Sequence, residues 1–218
     1  MGLTDFSFTP TEYMLLNADK FAPESTGPNQ LPLLCSGGSV DGQYLVMLMC
    51  ASAILANEDE DALTLNLVQT KKIFGLKETT RLIIRPVGQT PKWNGFTLES
   101  AILFVSSQAY SVPGDYSVQK IIYTILAEDR AKPWEKIIEM VEWGLASSNW
   151  LLPVEGEALG AFSTPFICPA KVRELAMAQP AAPVINLLTA CKKTRPEIWK
   201  QLISEITQAI EARKNSSK

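Results

Sequence analysis

The 218-residue chain contains no histidine. That removes the side chain most often used as a general base and as a metal ligand. It also has no Cys-x-x-Cys pair: Cys35, Cys50, Cys168 and Cys191 are scattered, and Cys50 and Cys191 fall inside apolar helical patterns. They read as small buried thiols of a reducing compartment rather than a disulfide or zinc framework, so no metal site is expected. A basic excess is missing too. With 20 Lys and Arg against 23 Asp and Glu, a net charge of −3 and a pI near 5.2, a phosphate-neutralising surface is disfavoured and no nucleic-acid partner is expected. The longest apolar run, Tyr44 to Ala56, falls well short of the roughly 20 residues that span a bilayer. The opening "MGLTDFSFTPTEY" carries Asp5 and Glu12 and no apolar run, and Phe6 stands where a myristoylation signal has Ser or Thr. A soluble, cytoplasmic chain is the expectation.

What is present is ordinary for a globular protein: 46% hydrophobic and 20% charged residues, enough to bury a substantial core. Thr9-Pro10-Thr11-Glu12 opens a short first helix, and "FAPESTGPNQLP" is a surface loop. After "SGGSVDG", Asp41 caps a helix that is apolar nearly all round from Tyr44 to Leu55, the mark of a central, buried element. Leu63, Leu65 and Leu67 alternate with polar residues in a strand. A second strand, Arg81 to Val87, sets Arg81, Ile83 and Arg85 against Leu82 and Ile84. A helix spans Leu98 to Ala109. Val118, Ile121, Ile122, Ile125 and Leu126 form an apolar stripe, repeated by Trp134, Ile137, Ile138, Val141 and Leu145. A hairpin follows, with arms Trp150 to Val154 and Ala158 to Ser163 around Glu155-Gly156-Glu157. Helices are then expected at Ala170 to Ala178, Pro183 to Cys191 and Glu197 to Arg213, the last opened by Thr194-x-x-Glu197 as a capping box. No repeat or linker divides the chain. The fold class is mainly α: a single helical domain, residues 1–218, with a central buried helix and small β-hairpins.

Motifs that carry chemistry are weak. "LLCSGGSVDG" resembles a phosphate loop only in its small residues, since it lacks the Walker lysine and the G-x-G-x-x-G spacing, and Asp41 as a cap explains it. "NEDEDA" lacks the spacing and central glycine of a calcium loop and reads as a solvated helix end. Ser106, Ser107, Ser147 and Ser148 have no glycine elbow, and Glu139 with Glu142 is a charged face unless a cleft holds them. No catalytic residue and no cofactor are assigned. A helix leading into a hairpin has the outline of a winged helix, but "WEKIIEMVEWGLASSNW" has one lysine against three glutamates. Arg81 and Arg85, with Lys132 and Lys136 around the start of a helix, are the candidates for meeting an anionic headgroup.

The order of elements resembles the Golgi phosphoprotein three family. "FTPTEYMLL" is similar to its opening L-T-x-x-E-x-L-L-L, and "YLVMLMCASAILANEDEDALTLNLV" to its central helix followed by an L-x-L strand. "GFTLESAILFVSS" is similar to its G-x-x-L-L-D-E-A-L helix. "SVQKIIYTILAEDRAKPWEKIIEMVEWGLASSNWLL" resembles its paired helices ending in a hairpin, and "FSTPFICPAKVRELA" the return into the next helix. The resemblance covers nearly the whole chain and suggests a shorter, prokaryotic-type member. It implies a non-enzymatic peripheral membrane protein that binds phosphatidylinositol 4-phosphate or another anionic lipid, with a protein partner as a further possibility. It also implies a hairpin used for membrane contact and for homo-oligomer formation, here through Trp150, Leu151, Leu152, Leu159 and Phe162. Two arginines that the eukaryotic members carry one turn apart are replaced by Glu135 and Ile138, and the family's tryptophan and arginine before the central helix are not matched near "CSGGSVDGQ". The alternative is a soluble oligomeric interaction scaffold without lipid affinity. A cluster of Lys132 and Lys136 with Arg81 or Arg85 on one surface beside the hairpin favours lipid, a hairpin between two chains favours the scaffold, and a deep glutamate-lined pocket favours an enzyme.

Overall fold

The computed structural model describes residues 8–70, 79–87, 93, 95–110, 116–154 and 166–216. Among these the chain is mainly helical, with eight α-helices, one 3-10 turn and three antiparallel strand pairs. In chain order they are α1 (Pro10–Leu16), the 3-10 turn Ala18–Lys20, β1 (Gln30–Pro32), β2 (Ser39–Asp41), α2 (Gly42–Asp59), β3 (Leu63–Thr70) and β4 (Thr79–Pro86). There follow α3 (Leu98–Tyr110), α4 (Val118–Ile125), α5 (Glu135–Ser147), β5 (Leu152–Pro153), β6 (Phe166–Ile167), α6 (Ala170–Ala178), α7 (Ala182–Thr194) and α8 (Pro196–Ser216).

Side-chain caps set several helix starts, though α5, α6 and α7 begin without one. At α1 the Thr9 hydroxyl accepts from the Glu12 amide at 3.3 Å while the Glu12 carboxylate accepts from the Thr9 amide at 2.8 Å, a reciprocal capping box. Asp41 accepts from the Tyr44 amide at 2.9 Å and starts α2, and Ser117 does the same for Lys120 at the start of α4. Because α2 has no continuous polar face, it buries most of its surface and packs against α1, α3, α5, α7 and α8. Both predicted stripes point inward: Val118, Ile121, Ile122, Ile125 and Leu126 of the α4 region, and Trp134, Ile137, Ile138, Val141 and Leu145 of the α5 region, are all buried. Each such side chain contributes roughly 1.5–3 kcal/mol by leaving water.

The β3–β4 ladder runs from Leu63 opposite Pro86 to Thr70 opposite Thr79. Leu63, Leu65, Leu82 and Ile84 lie in the core, while Arg81 and Arg85 are exposed on the other face. On its far side β4 is bonded again, the Ile84 amide donating to the Tyr116 carbonyl at 2.9 Å. Glu205 of α8 ties this edge down, because its carboxylate accepts from the amides of Leu82 (2.6 Å) and Gln119 (3.0 Å) and from the Gln201 side chain (2.9 Å).

Several expectations are corrected. Cys35 and Cys168 form a disulfide, with Cα atoms 5.5 Å apart across 133 residues, whereas Cys50 and Cys191 are buried free thiols as read from their patterns. No spacing motif announces so distant a pairing, and connectivity is not encoded locally. Disulfides persist in oxidising surroundings, so this bond is at odds with the reducing compartment expected. The β1–β2 pair occupies residues read as loop, since three-residue strands are too short for a period-two pattern. Thr194 does not cap α8: it ends α7, and its hydroxyl donates back to the Ala190 carbonyl at 2.7 Å. In the hairpin, Leu152–Pro153 pairs with Phe166–Ile167, and the expected return arm, Ala158 to Ser163, lies outside the described residues together with Leu159 and Phe162.

Candidate functional site

The loop before α3 and the outer face of α5 meet in an open cavity of about 590 Å³. Phe96, Thr97 and Phe104 line one side, and Lys136, Met140 and Trp143 the other. The α5 residues share a face because they stand at i, i+4 and i+7. Thr97 fixes the α3 side by accepting from the Ser100 amide at 3.2 Å. Gly144 fixes the approach of the two walls: a Cβ there would overlap the Phe96 carbonyl oxygen, so only glycine lets the Phe96 backbone lie on α5.

This wall is unusually apolar for a surface. Phe96 is 71% exposed, Phe104 63% and Trp143 51%. Trp143 stands edge-on to Phe166 at 5.2 Å between ring centroids, which joins the cavity to β6, where Ile167 and its partner Leu152 are exposed as well. Contiguous exposed aromatic surface of this kind marks a binding face more often than solitary exposed residues do. Among the described residues Lys136 is the one charged residue lining the cavity, and it has no ion-pair partner.

The other cations lie elsewhere. Lys132 sits 3.5 Å from the Glu135 carboxylate and 5.6 Å from the centroid of the Trp134 ring. Arg81 and Arg85 project from β4, which packs on β3, α3, α4 and α8, whereas α5 packs on α1, α2 and α3. Arg81 and Arg85 therefore belong to β4, while Lys136 lies on α5 and Lys132 just before it, and the strand and the helix pack on largely different neighbours. Of the hairpin candidates, Leu151 is 1% exposed and belongs to the core, a correction to its reading as a contact residue. Trp150 is half-buried with its ring edge against Phe8 at 5.0 Å, and Leu152 alone of the three is exposed.

Three carboxyls of α1, α3 and α5 stand where burial disfavours their charge. Glu99 is buried and accepts from both the amide (3.0 Å) and the hydroxyl (2.9 Å) of Thr11, tying α3 to α1. Burial pushes it up to about 7 against these hydrogen bonds, and the neighbouring Glu12 adds to the rise. Glu12 is itself raised by burial. Glu142 is half-buried and also pushed up to about 7, by desolvation first and by Glu139 second, while Glu139 pairs with Arg130. None of the three lines the cavity. Among the described residues no group of His, Cys, Asp or Glu has the arrangement to hold a metal ion. At the "SGGSVDG" stretch the α2 N-terminus is occupied by the Asp41 carboxylate, which leaves little there for an anion. The "NEDEDA" end of α2 is less solvated than expected: Asn57 is buried and bonds the Glu99 carbonyl at 3.0 Å, and Glu58 holds Arg195 in a bidentate pair at 2.6 and 2.7 Å.

Sequence reasoning missed Phe96, Phe104, Met140 and Trp143. A signal was there for two of them: Met140 and Trp143 are large apolar residues outside the stripe that buries the rest of α5, and the structure leaves Met140 half-buried at the edge of the core and Trp143 exposed. No helix among the described residues is long and apolar enough to cross a membrane. Comparison with protein-family models, with curated proteins and with solved structures gives no match.

Proposed function

We propose that this chain is a non-enzymatic peripheral protein that binds anionic lipid at a membrane surface, with a phosphoinositide such as phosphatidylinositol 4-phosphate as the headgroup implied by the family resemblance. The observation that carries this reading is the exposed run of Phe96, Phe104, Trp143, Leu152 and Ile167 beside Lys136, which has no ion-pair partner among the described residues. The Trp143 indole favours the headgroup boundary, where its ring leaves water while its N–H stays wet, and Phe96 and Phe104 add apolar area to bury there. A lysine near an anionic surface adds about 1 kcal/mol, screened by salt. In this reading the chain is a single domain organised around α2, and the face of α5 and the β5–β6 pair is what meets the bilayer.

Vesicle co-sedimentation at low and physiological salt tests it, with neutral, anionic and phosphatidylinositol 4-phosphate vesicles. Pelleting with anionic vesicles that weakens with salt and is lost in Phe104→Ala/Trp143→Ala supports the reading. Both substituted residues are exposed, so the fold should survive. Absence of pelleting with every vesicle, together with a concentration-dependent dimer that the same variant abolishes, would establish the scaffold instead.

A further inference from the structure

We propose that the cavity between α3 and α5 binds one free fatty acid, with its hydrocarbon chain on Phe96, Phe104, Met140 and Trp143 and its carboxylate on Nζ of Lys136. The inference rests on the lipid reading for the class of ligand, but it concerns one molecule in a cavity rather than a bilayer surface. The volume, about 590 Å³, lies within the roughly 300–1,000 Å³ of sites that enclose small ligands. Its chemistry is that of an amphiphile. The walls are rings and a thioether, which adapt to a flexible chain, and a ligand with several polar groups would leave them unpaired against those walls. The hydroxyls of Thr97 and Ser100 already bond each other at 3.0 Å. Among the described residues Lys136 is then the one cation at the cavity, exposed and without a partner, and it complements a single negative head. Cover over Phe96 and Phe104, the two most exposed aromatics on this face, is what an acyl chain would supply.

The test is calorimetric titration of the full chain with dodecanoate below its micellar concentration, with dodecanol and acetate as the chargeless and chainless controls. Saturable binding of one dodecanoate is expected, with dodecanol about tenfold weaker and acetate without effect. Lys136→Gln should remove the tenfold preference and leave dodecanol unchanged. A dodecanoate brominated on its chain should quench the wild type more than Trp143→Phe, which tells this cavity from any other apolar site. Circular dichroism keeps loss of fold apart from loss of binding. Dodecanoate that fails to saturate, quenching indifferent to Trp143, or a preference that survives Lys136→Gln overturns the proposal. Vesicle pelleting without dodecanoate binding leaves the membrane reading standing and sinks this one, whereas dodecanoate binding without pelleting does the reverse.

Discussion

Glu99 is a carboxyl placed where its charge is costly, and its two acceptor oxygens are both used by Thr11. With the folded value near 7 against 4.5 for the free side chain, the folded state binds a proton more tightly than the unfolded state does. Its contribution is therefore complete below pH 4.5 and is lost as pH rises to 7, an amount of roughly 3 kcal/mol. Half-buried Glu142 acts in the same direction, less strongly. The urea midpoint is expected to be higher at pH 5 than at pH 8. Glu99→Gln should flatten most of that slope, because the amide oxygen still accepts from the Thr11 amide while its NH2 donates to the Thr11 hydroxyl. A slope unchanged by this substitution would refute the assignment. Gly144 is the second residue on which much depends. Gly144→Ala forces the Phe96 carbonyl away from α5 and should cost about 1–3 kcal/mol in chemical denaturation.

Between elements, the joints are made by side chains whose partners lie far away in sequence. Glu205 joins α8 to β4 and to the first turn of α4 through two backbone amides. Glu205→Ala leaves the buried Leu82 amide and the half-buried Gln119 amide without this acceptor and is expected to lower stability by about 2–4 kcal/mol, measured in urea, with Glu205→Gln recovering part of it through one acceptor oxygen. Such joints were invisible in the sequence, where Glu205 is one acidic residue in an amphipathic helix. The elements themselves were more legible, because helix stripes are local. Two Thr-x-x-Glu stretches show the limit. Thr9-x-x-Glu12 forms its capping box, with Phe8 just before it outside any helix, while Thr194 is still bonded into α7 when Glu197 begins the next helix. The pattern names a pair of residues that can cap, and the preceding turn decides whether they do. The candidate site was half legible: Lys136 was singled out by charge, but the aromatic wall needed the packing of α3 on α5 before Phe96 and Trp143 could share a surface.

At the scale of the molecule, the Cys35–Cys168 bond fastens the β1–β2 connection to the segment between β6 and α6. A link across 133 residues removes chain entropy from the unfolded state worth up to about 5 kcal/mol. Reductant should lower the thermal midpoint, and the double variant Cys35→Ser/Cys168→Ser should match the reduced protein and no longer respond to thiol. A midpoint indifferent to reductant would show that the bond adds nothing to stability. The bond also changes the covalent shape of the polypeptide. Everything from Cys35 to Cys168 becomes a closed loop containing α2, both long strands, α3, α4 and α5, while α1 and the trio α6 to α8 hang from it as two branches rooted at one sulfur pair. A protease that cuts once inside the loop opens a ring rather than severing a chain, so the nicked protein runs as one species on a non-reducing gel and parts into two pieces only when thiol is added.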